Sequence, residues 1–374
     1  MKNKRTTIIF TDEANAESAQ AIKDYLASDA NNLTIIIGED EFRGIAFKLV
    51  TDRLFKDDGN VRRIAEKVRR QISGLTIDKL RSEEIKFNSK KTSHVKAYNI
   101  LIRYTPDLII LNDETVIDAV LAARDKALPN VPVIMVVSNF ALNLKIANQK
   151  INKFFVENMT IKTTLVNNNI PESDIIVADF PINPAFDNDV NKNAIYDEFR
   201  FSYDKPLVVF STPALDTESV TSSLYALQTL MQLSRSLNII LDCGRNRNML
   251  SFAQSHSLPA INEGRSSHAL YRLADIVIGR PIPISIAKTL YAGNIYFMLE
   301  PKGIYEQRTA SYFSNGVIVP TYDKQTLEAQ LHAYIDNPKS FDNVRELIKD
   351  YHSSRPRGIL FKNIDLMLDI KQLS

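Results

Sequence analysis

The 374-residue sequence contains a single cysteine, Cys243, and no tryptophan. One cysteine excludes an internal disulfide and fits a reducing, cytoplasmic compartment. Long apolar runs are scarce as well. After the basic first five residues, only residues 6–11 precede the first acidic side chains, which is too short for a signal peptide or a membrane-spanning helix. The formal net charge is only +2, so the overall charge does not indicate a nucleic-acid partner.

Two further absences limit the chemistry that the chain can perform. The five histidines show no metal-ligand spacing, so the sequence does not predict a metal site. No Gly-x-Ser-x-Gly motif occurs either, so the nucleophile of a serine hydrolase is not indicated. Most of the histidines are expected on the surface or as hydrogen-bonded core residues.

The apolar residues that are present follow a strand–helix–strand rhythm. Alternation of this kind predicts an α/β fold with helices layered on parallel sheets. In a first series, strands are predicted at 6–11, 33–38, 107–111, 131–137, 153–157 and 175–178, with helices at 14–27, 114–127 and 160–168. In a second series, strands are predicted at 207–211, 237–242, 276–278 and 295–299, with helices at 217–236, 285–292 and 359–373.

A polar stretch rich in Asn, Asp, Lys and Tyr separates the two series. It predicts one α/β domain over residues 1–186, a linker over 187–205 and a second α/β domain over 206–358. Two such domains enclose a cleft, and clefts between domains are the usual place for a ligand. The alternative is that the two halves are unrelated modules.

The turn after the strand at 276–278 is the first candidate ligand site. It reads Arg280-Pro281-Ile282-Pro283-Ile284-Ser285, and an apolar helix is predicted to start at about Ser285. Ligands of open parallel sheets lie beyond the carboxyl ends of the strands, where a guanidinium and a helix N-terminus can hold a phosphate. The alternative is an ordinary strand-to-helix turn that carries a surface arginine.

Residues 42–72 form a segment in which basic and apolar side chains are interleaved. A segment of this composition can lie on an anionic membrane surface. The alternative is an outer helix whose apolar stripe packs on the sheet. The residues expected to touch the membrane are Phe47, Phe55, Arg62, Arg63, Arg69 and Arg70.

Two motifs carry a resemblance to a known family. Residues 152–186 end in a Pro-x-x-Pro-x-Phe exit formed by Pro181, Pro184 and Phe186, and Cys243-Gly244-Arg245-Asn246 follows a predicted strand. With these matches, nearly the whole chain resembles the monogalactosyl- and glucosyl-diacylglycerol synthases, which are related to the lipid II N-acetylglucosaminyltransferase.

The resemblance implies a GT-B fold, in which two Rossmann-like domains face each other across a cleft. It places a UDP-sugar donor on the C-terminal domain and a lipid acceptor on the N-terminal domain, with no further cofactor. A closing helix at 359–374 would cross back toward the N-terminal domain. The basic apolar segment would dock the protein peripherally on the cytoplasmic face of the cell membrane.

The acceptor side departs from the family pattern. The family's Gly-x-Gly-His loop corresponds to Asp12, Glu13, Ala14 and Asn15. Asparagine cannot take up a proton near neutral pH, so Asn15 cannot replace the histidine as a base. Asp12 or Glu13 is the candidate substitute. In a second family pattern, Asn139 stands where the family has an acid.

The donor side departs as well. Pro283 has no N–H to give to a phosphate, and Lys288 replaces the glutamate that the family uses for the donor ribose. An ammonium group cannot accept a hydrogen bond from the ribose hydroxyls. The residues that the resemblance still assigns to donor binding are Gly244, Arg245, Asn246, Arg280, Pro281, Ser285, Lys288 and Glu306.

Two functions therefore remain open. The first is hexosyl transfer from a UDP-sugar to a membrane lipid such as diacylglycerol. The second is a catalytically degenerate GT-B protein, a pseudoenzyme that acts as a binding or accessory subunit for a protein partner. Fold resemblance alone does not decide between an active and an inactive site.

Overall fold

The computed structural model describes residues 5–12, 15–27, 31–38, 86–140, 146–212, 217–244, 246–262, 267–353 and 358–370. Within these ranges the chain forms two parallel β-sheets of six strands each, with helices on their faces. The α/β fold class predicted from the alternating sequence is confirmed. The basic apolar segment at 42–72 lies outside the described residues.

The first sheet is formed by the N-terminal half of the chain. Its strands are β1 (Arg5–Thr11), β2 (Asn31–Ile37), β3 (Leu108–Leu111), β4 (Val133–Val136), β5 (Lys153–Val156) and β6 (Ile175–Val177). Its helices are α1 (Ala16–Leu26), α2 (Thr92–Tyr104), α3 (Ile117–Ala127) and α4 (Met159–Val166). The strand order is β2-β1-β3-β4-β5-β6. The chain thus adds β2 on one side of β1 and β3 on the other, so the topological switch point lies between β1 and β3.

The second sheet is also parallel and six-stranded, but two strands rather than one lie beyond its first strand. Its strands are β7 (Leu207–Ser211), β8 (Asn238–Asp242), β9 (Ala260–Ile261), β10 (Ile276–Gly279), β11 (Ile295–Met298) and β12 (Val319–Pro320). The helices from α5 onward are α5 (Lys192–Phe199), α6 (Thr217–Gln232), α7 (Arg247–Ser255), α8 (His268–Leu273), α9 (Pro283–Ala292), α10 (Gly303–Tyr312), α11 (Lys324–Asp336), α12 (Asp342–Ser353) and α13 (Ile359–Ile370). The strand order β12-β11-β10-β7-β8-β9 puts the switch point between β7 and β10.

Apolar residues on both faces of the central strands explain why each sheet is covered on two sides. All residues of β3 and of β10 are buried, as expected for parallel strands between two helical layers. In the first sheet, Val120 of α3 belongs to the core on one face and Ile22 of α1 to the core on the other. The two faces of the second sheet carry two further cores.

The last helix, α13, packs against the first sheet rather than the second. Leu360 and Ile364 belong to the same core as Ile22, and the Phe361 ring stacks on Tyr25 with 4.1 Å between ring centroids. The Asp179 carboxylate accepts the backbone N–H groups of Gly358 and Leu360 at 3.0 and 3.2 Å. This carboxylate satisfies two N–H groups at the helix start, which otherwise lack a partner within the helix.

Two sequence expectations need correction in detail. Helix α9 begins at Pro283 and not at Ser285, because proline is well suited to the first helical position. The polar stretch at 187–205 is not an extended linker throughout. It contains α5, which is capped by the Asn191 side chain and anchored by Tyr196 in the core of the second sheet. The domain limits at 186 and 206 stay a prediction.

None of the helices in the described ranges is both long and apolar enough to cross a membrane.

Candidate functional site

The carboxyl-terminal edges of the two sheets face each other. Glu17 lies in the first turn of α1, just after β1, and Lys288 lies in α9, just after β10. Their side chains form an ion pair with 3.1 Å between Lys288 Nζ and Glu17 Oε1. Since each residue follows the switch point of its own sheet, the region between these edges is the candidate site.

Lys288 is the centre of a buried polar cluster on the second sheet. Its side chain is 2% exposed, and Nζ lies 3.3 Å from Asp242 Oδ2 and 3.2 Å from Ser267 Oγ. Nζ also lies 4.4 Å from the centre of the Tyr271 ring. Burial alone would lower the pKa of the Lys288 ammonium group, but the negative groups around it, with Glu17 foremost, raise that pKa well above its ordinary value. Lys288 is therefore a charged group held between two domains.

Tyr271 links this cation to the end of β7. Its hydroxyl lies 3.0 Å from Asp242 Oδ2 and 3.1 Å from Ser211 Oγ, and Ser211 Oγ lies 2.8 Å from Ser285 Oγ. Burial is the main reason that the pKa of the Tyr271 hydroxyl is raised. These contacts join the ends of β7 and β8 with α8 and α9 in one hydrogen-bonded network.

Arg280, directly after β10, is paired with Glu306 of α10. Its Nη2 lies 2.6 Å from Glu306 Oε1, and its Nε donates to Oε2 at 3.0 Å. Burial raises the pKa of the Glu306 carboxyl group, although Arg280 opposes that shift. Arg280 is 6% exposed, so the arginine of this turn is not a surface residue.

The backbone around Arg280 is tightly packed. The Tyr296 hydroxyl donates to the Arg280 carbonyl oxygen at 2.6 Å. A Cβ atom on Gly279 would lie 2.7 Å from that hydroxyl oxygen, closer than real Cβ contacts, so glycine is required there. Pro281 and Ser285 are also buried, and the Ser285 hydroxyl is bound to Ser211. This turn is therefore a packed structure in which Arg280, Pro281 and Ser285 are all buried.

The Cys-Gly-Arg-Asn motif lies at the end of β8, beside the same network. The Gly244 N–H donates to Asp242 Oδ1 at 3.2 Å. Asn246 caps α7, since its Oδ1 accepts the Met249 N–H at 3.1 Å, and its amide donates to the Thr212 carbonyl at 3.3 Å. Gly244 and Asn246 therefore have structural partners near the switch point, while Arg245 lies outside the described residues.

On the facing edge, Asp12 directly follows β1 and precedes α1, which begins at Ala16. Its Oδ1 accepts the Asn15 N–H at 2.7 Å. Glu13, the other candidate base, lies outside the described residues. Asn112 joins the ends of β1 and β4, since its Oδ1 accepts from the Thr11 hydroxyl at 3.1 Å and its amide donates to the Ser138 hydroxyl at 2.7 Å. Asn139 follows β4 along the same edge.

Sequence reasoning missed several polar residues at these edges. Glu157 ends β5 and is buried, with hydrogen bonds from the Asn158 amide at 2.9 Å and from the Tyr351 hydroxyl of α12. Asp242 is the last residue of the buried strand β8. That position was the available signal, because polar residues at the carboxyl ends of parallel strands meet at one edge. In the parts of the chain that are described, no group of three or more His, Cys, Asp or Glu side chains could hold a metal ion.

Comparison with curated proteins identifies relatives of low identity. No protein-family model matches the chain. It is 24% identical to the processive diacylglycerol beta-glucosyltransferase of Bacillus pumilus over 297 residues. This alignment covers 77% of the chain and 76% of the relative. It is also 24% identical over 225 residues to the Staphylococcus haemolyticus protein of the same name, covering 59% of the chain and 56% of the relative.

Comparison with solved structures shows the same fold. MurG of Acinetobacter baumannii matches with a TM-score of 0.57 at 15% identity, covering 98% of this chain and 99% of that one. The UDP-GlcNAc 2-epimerase of Neisseria meningitidis bound to UDP-GlcNAc matches with a TM-score of 0.56 at 13% identity, covering 98% of this chain and 99% of that one. Anabaena Alr3699/HepE in complex with UDP-glucose matches with a TM-score of 0.56 at 12% identity, covering 99% of this chain and 100% of that one. The chain has a GT-B fold and resembles the diacylglycerol glucosyltransferases, so both predictions are confirmed.

Proposed function

We propose that this protein transfers a hexose from a UDP-sugar to a membrane lipid acceptor such as diacylglycerol. The observation that carries the proposal is the similarity, over 77% of the chain, to a relative named as a processive diacylglycerol beta-glucosyltransferase. The facing switch-point edges supply two surfaces suited to two substrates. The donor is assigned to the second sheet and the acceptor to the first.

On the donor side, Arg280 is the proposed phosphate contact. Glu306 occupies two of the five N–H groups of its guanidinium, and an arginine held in this way keeps the remaining N–H groups in a fixed plane. Glu306 would then act by orienting Arg280. Gly244, Asn246, Pro281 and Ser285 would line the same side, since they flank the switch point between β7 and β10. Arg245 is assigned there from the sequence alone.

On the acceptor side, Asp12 and Glu13 stand at the position where a base is required. A base accepts the proton of the lipid hydroxyl while that oxygen bonds to the sugar. Asn15 and Asn139 can contribute hydrogen bonds but cannot take up the proton. Asp12 uses one carboxylate oxygen for the Asn15 N–H, which fixes its orientation at the end of β1.

One observation favours the second candidate function, a binding or accessory protein. Lys288 is 2% exposed and is bound by two carboxylates at the position where the resemblance expects a glutamate for the donor ribose. A buried cation there offers no acceptor to ribose hydroxyls. The two candidates differ in whether hexose transfer occurs, and a transfer assay separates them.

Titration calorimetry with UDP and UDP-glucose, followed by a transfer assay with diacylglycerol in vesicles, tests the proposed function. We expect weak but saturable UDP binding, because Pro283 and Lys288 remove two ordinary donor contacts. We also expect a glycolipid product from UDP-glucose. UDP-galactose serves as the matched donor control for the choice of sugar. Binding without any transfer would favour the accessory function. If the protein neither binds a UDP-sugar nor transfers a hexose, both candidate functions are contradicted.

Membrane association through residues 42–72 is a separate prediction. Each Lys or Arg near an anionic surface contributes about 1 kcal/mol. Co-sedimentation with vesicles should therefore increase with anionic lipid and decrease with salt. Changing Arg62, Arg63, Arg69 and Arg70 together to Ser should reduce the bound fraction strongly, with neutral vesicles as the control. Undiminished binding of that variant to anionic vesicles would show that another surface docks.

A further inference from the structure

Among the residues that the structure describes, one carboxylate oxygen of Asp113 has no hydrogen-bond partner. The residue is the second after the end of β3 and is 0% exposed. Its Oδ1 accepts the backbone N–H and the hydroxyl of Thr115, both at 2.7 Å. Its Oδ2 has no hydrogen-bond partner within the described part of the chain. A buried acceptor without a donor is costly, and such groups in a folded protein call for a functional or structural reason.

The position of this oxygen coincides with the switch point of the first sheet. Asp113 extends from the end of β3 across the end of β1 toward Gly38, which follows β2. A Cβ atom added to Gly38 would lie 2.7 Å from Asp113 Oδ2 and 3.5 Å from the Thr11 carbonyl oxygen. The oxygen therefore lies above the ends of the three neighbouring strands β2, β1 and β3, where an open parallel sheet binds its ligand.

Hydrogen bonds on the β4 side hold this edge in place. Asn112, next to Asp113, is fixed by the Thr11 hydroxyl at 3.1 Å and by the Val136 carbonyl at 2.9 Å. Thr115 fixes the other carboxylate oxygen of Asp113. The orientation of Oδ2 is thus set by neighbours that do not bind it, which is the arrangement expected of a preorganised acceptor group.

We propose that Asp113 is the catalytic carboxylate for the lipid acceptor, an inference that rests on the proposed hexosyl transfer. Its Oδ2 accepts a hydrogen bond from the acceptor hydroxyl. As the hydroxyl oxygen bonds to C1 of the sugar, the bond from C1 to the phosphate oxygen breaks, and UDP leaves with the electron pair. The proton of the hydroxyl passes to Asp113 Oδ2, and later to solvent.

A Cβ atom on Gly38 would lie 2.7 Å from Oδ2 and 2.8 Å from Val116 Cγ1, so Gly38 and Val116 pack beside Oδ2, and the acceptor hydroxyl reaches this oxygen when that packing opens. Glycine is the residue whose backbone adopts other conformations at the smallest steric cost. Hydrogen bonds to a catalytic base commonly form only in the substrate complex. Asp12, the alternative base, already binds the Asn15 N–H, whereas Asp113 Oδ2 is uncommitted within the described residues.

The test is Asp113→Asn in the full chain, with UDP-glucose and diacylglycerol vesicles as substrates. Asparagine has the same shape and keeps an oxygen for Thr115, so the turn at the end of β3 is preserved. We expect kcat to fall by about a hundred- to ten-thousand-fold, the usual effect of losing a general base. KM for UDP-glucose should be unchanged. The midpoint of thermal unfolding should change little, because asparagine keeps the size of the side chain and its hydrogen bonds with Thr115.

Asp118→Asn is the matched control, since Asp118 is exposed on α3 near the same loop. We expect it to change neither kcat nor the unfolding midpoint. Asp12→Asn tests the alternative base, and the inference requires its effect on kcat to be clearly smaller than that of Asp113→Asn.

The outcomes separate this inference from the proposed function. Wild-type transfer together with full activity of Asp113→Asn would overturn the role of Asp113 and leave the proposed function intact. A midpoint lowered by more than about 3 °C in Asp113→Asn would indicate a structural role instead. If the wild-type protein transfers no hexose, the proposed function is wrong and the catalytic role falls with it.

Discussion

Replacing Lys288 with methionine is expected to lower the free energy of unfolding by about 3–5 kcal/mol, the usual effect of removing one member of a buried ion pair. Methionine has nearly the same length, so packing against Tyr271 is largely kept. The loss arises because Asp242, which is 4% exposed, loses its contact with the Lys288 ammonium group and keeps the neutral Tyr271 hydroxyl and Gly244 N–H as partners. Urea unfolding of the variant and of the wild type at the same pH measures the difference in their free energies of unfolding.

Two companion variants show whether the buried charge is the cause. Glu17→Gln removes the other carboxylate, whose side chain is 45% exposed, and should cost less than about 1 kcal/mol, as for other solvent-exposed pairs. Asp242→Asn in the Lys288→Met background removes the stranded charge and should restore a large part of the loss. A Lys288→Met variant as stable as the wild type would contradict the assignment of Lys288 as a buried structural cation.

The sheets were predictable because their strands are buried on two faces. Runs such as Leu108–Leu111 and Leu207–Ser211 contain apolar residues at every position or nearly so, and such runs are typical of parallel strands. The edge strands Ala260–Ile261 and Val319–Pro320 have two residues each. A strand of that length has no periodicity to detect, and its pairing depends on the neighbouring strand.

Helix α5 shows why the polar stretch was misjudged. The segment has few apolar residues, so its sequence pattern is weak. Its stability comes from the Asn191 cap and from aromatic contacts, such as the Tyr196 and Phe201 rings with centroids 5.7 Å apart. Tertiary packing therefore supplies what local propensity does not, as is usual for short helices.

The location of the candidate site could be proposed from the sequence, but the pairings of its residues could not. The carboxyl ends of the strands and the turn at Arg280 could be read from the sequence. Lys288 and Glu17 are separated by 271 positions, and no local pattern indicates that the two meet. The same holds for Arg280 and Glu306, since predicting both as donor residues did not reveal that they bind each other. Ion pairs across a cleft depend on the relative placement of two domains, which a single sequence does not encode locally.

Arg280→Met is the second change with a large expected effect, again about 3–5 kcal/mol at neutral pH. The Arg280 side chain is 7% exposed and that of Glu306 18%, so the variant leaves a largely buried carboxylate without its cation. Arg280→Lys keeps a positive charge but not the bidentate geometry of the ion pair, so its free energy of unfolding should fall by less. The double variant Arg280→Met with Glu306→Leu removes both charges and should recover much of the stability.

The pH dependence identifies the stranded Glu306 carboxylate as the cause. Burial raises the folded-state pKa of Glu306 above its ordinary value of 4.5. A group with a raised pKa contributes stability that is complete below the unfolded pKa and is lost as pH rises through the folded pKa. Arg280 limits that rise, so its removal raises the pKa of Glu306 further. The loss of stability of Arg280→Met relative to the wild type should therefore be largest at neutral pH and shrink as pH falls toward 4.5.

Urea unfolding at several pH values measures this loss of stability. In a Glu306→Gln background, its pH dependence should vanish. A deficit that is the same at every pH would mean that lost packing, and not the buried charge, explains the effect of Arg280.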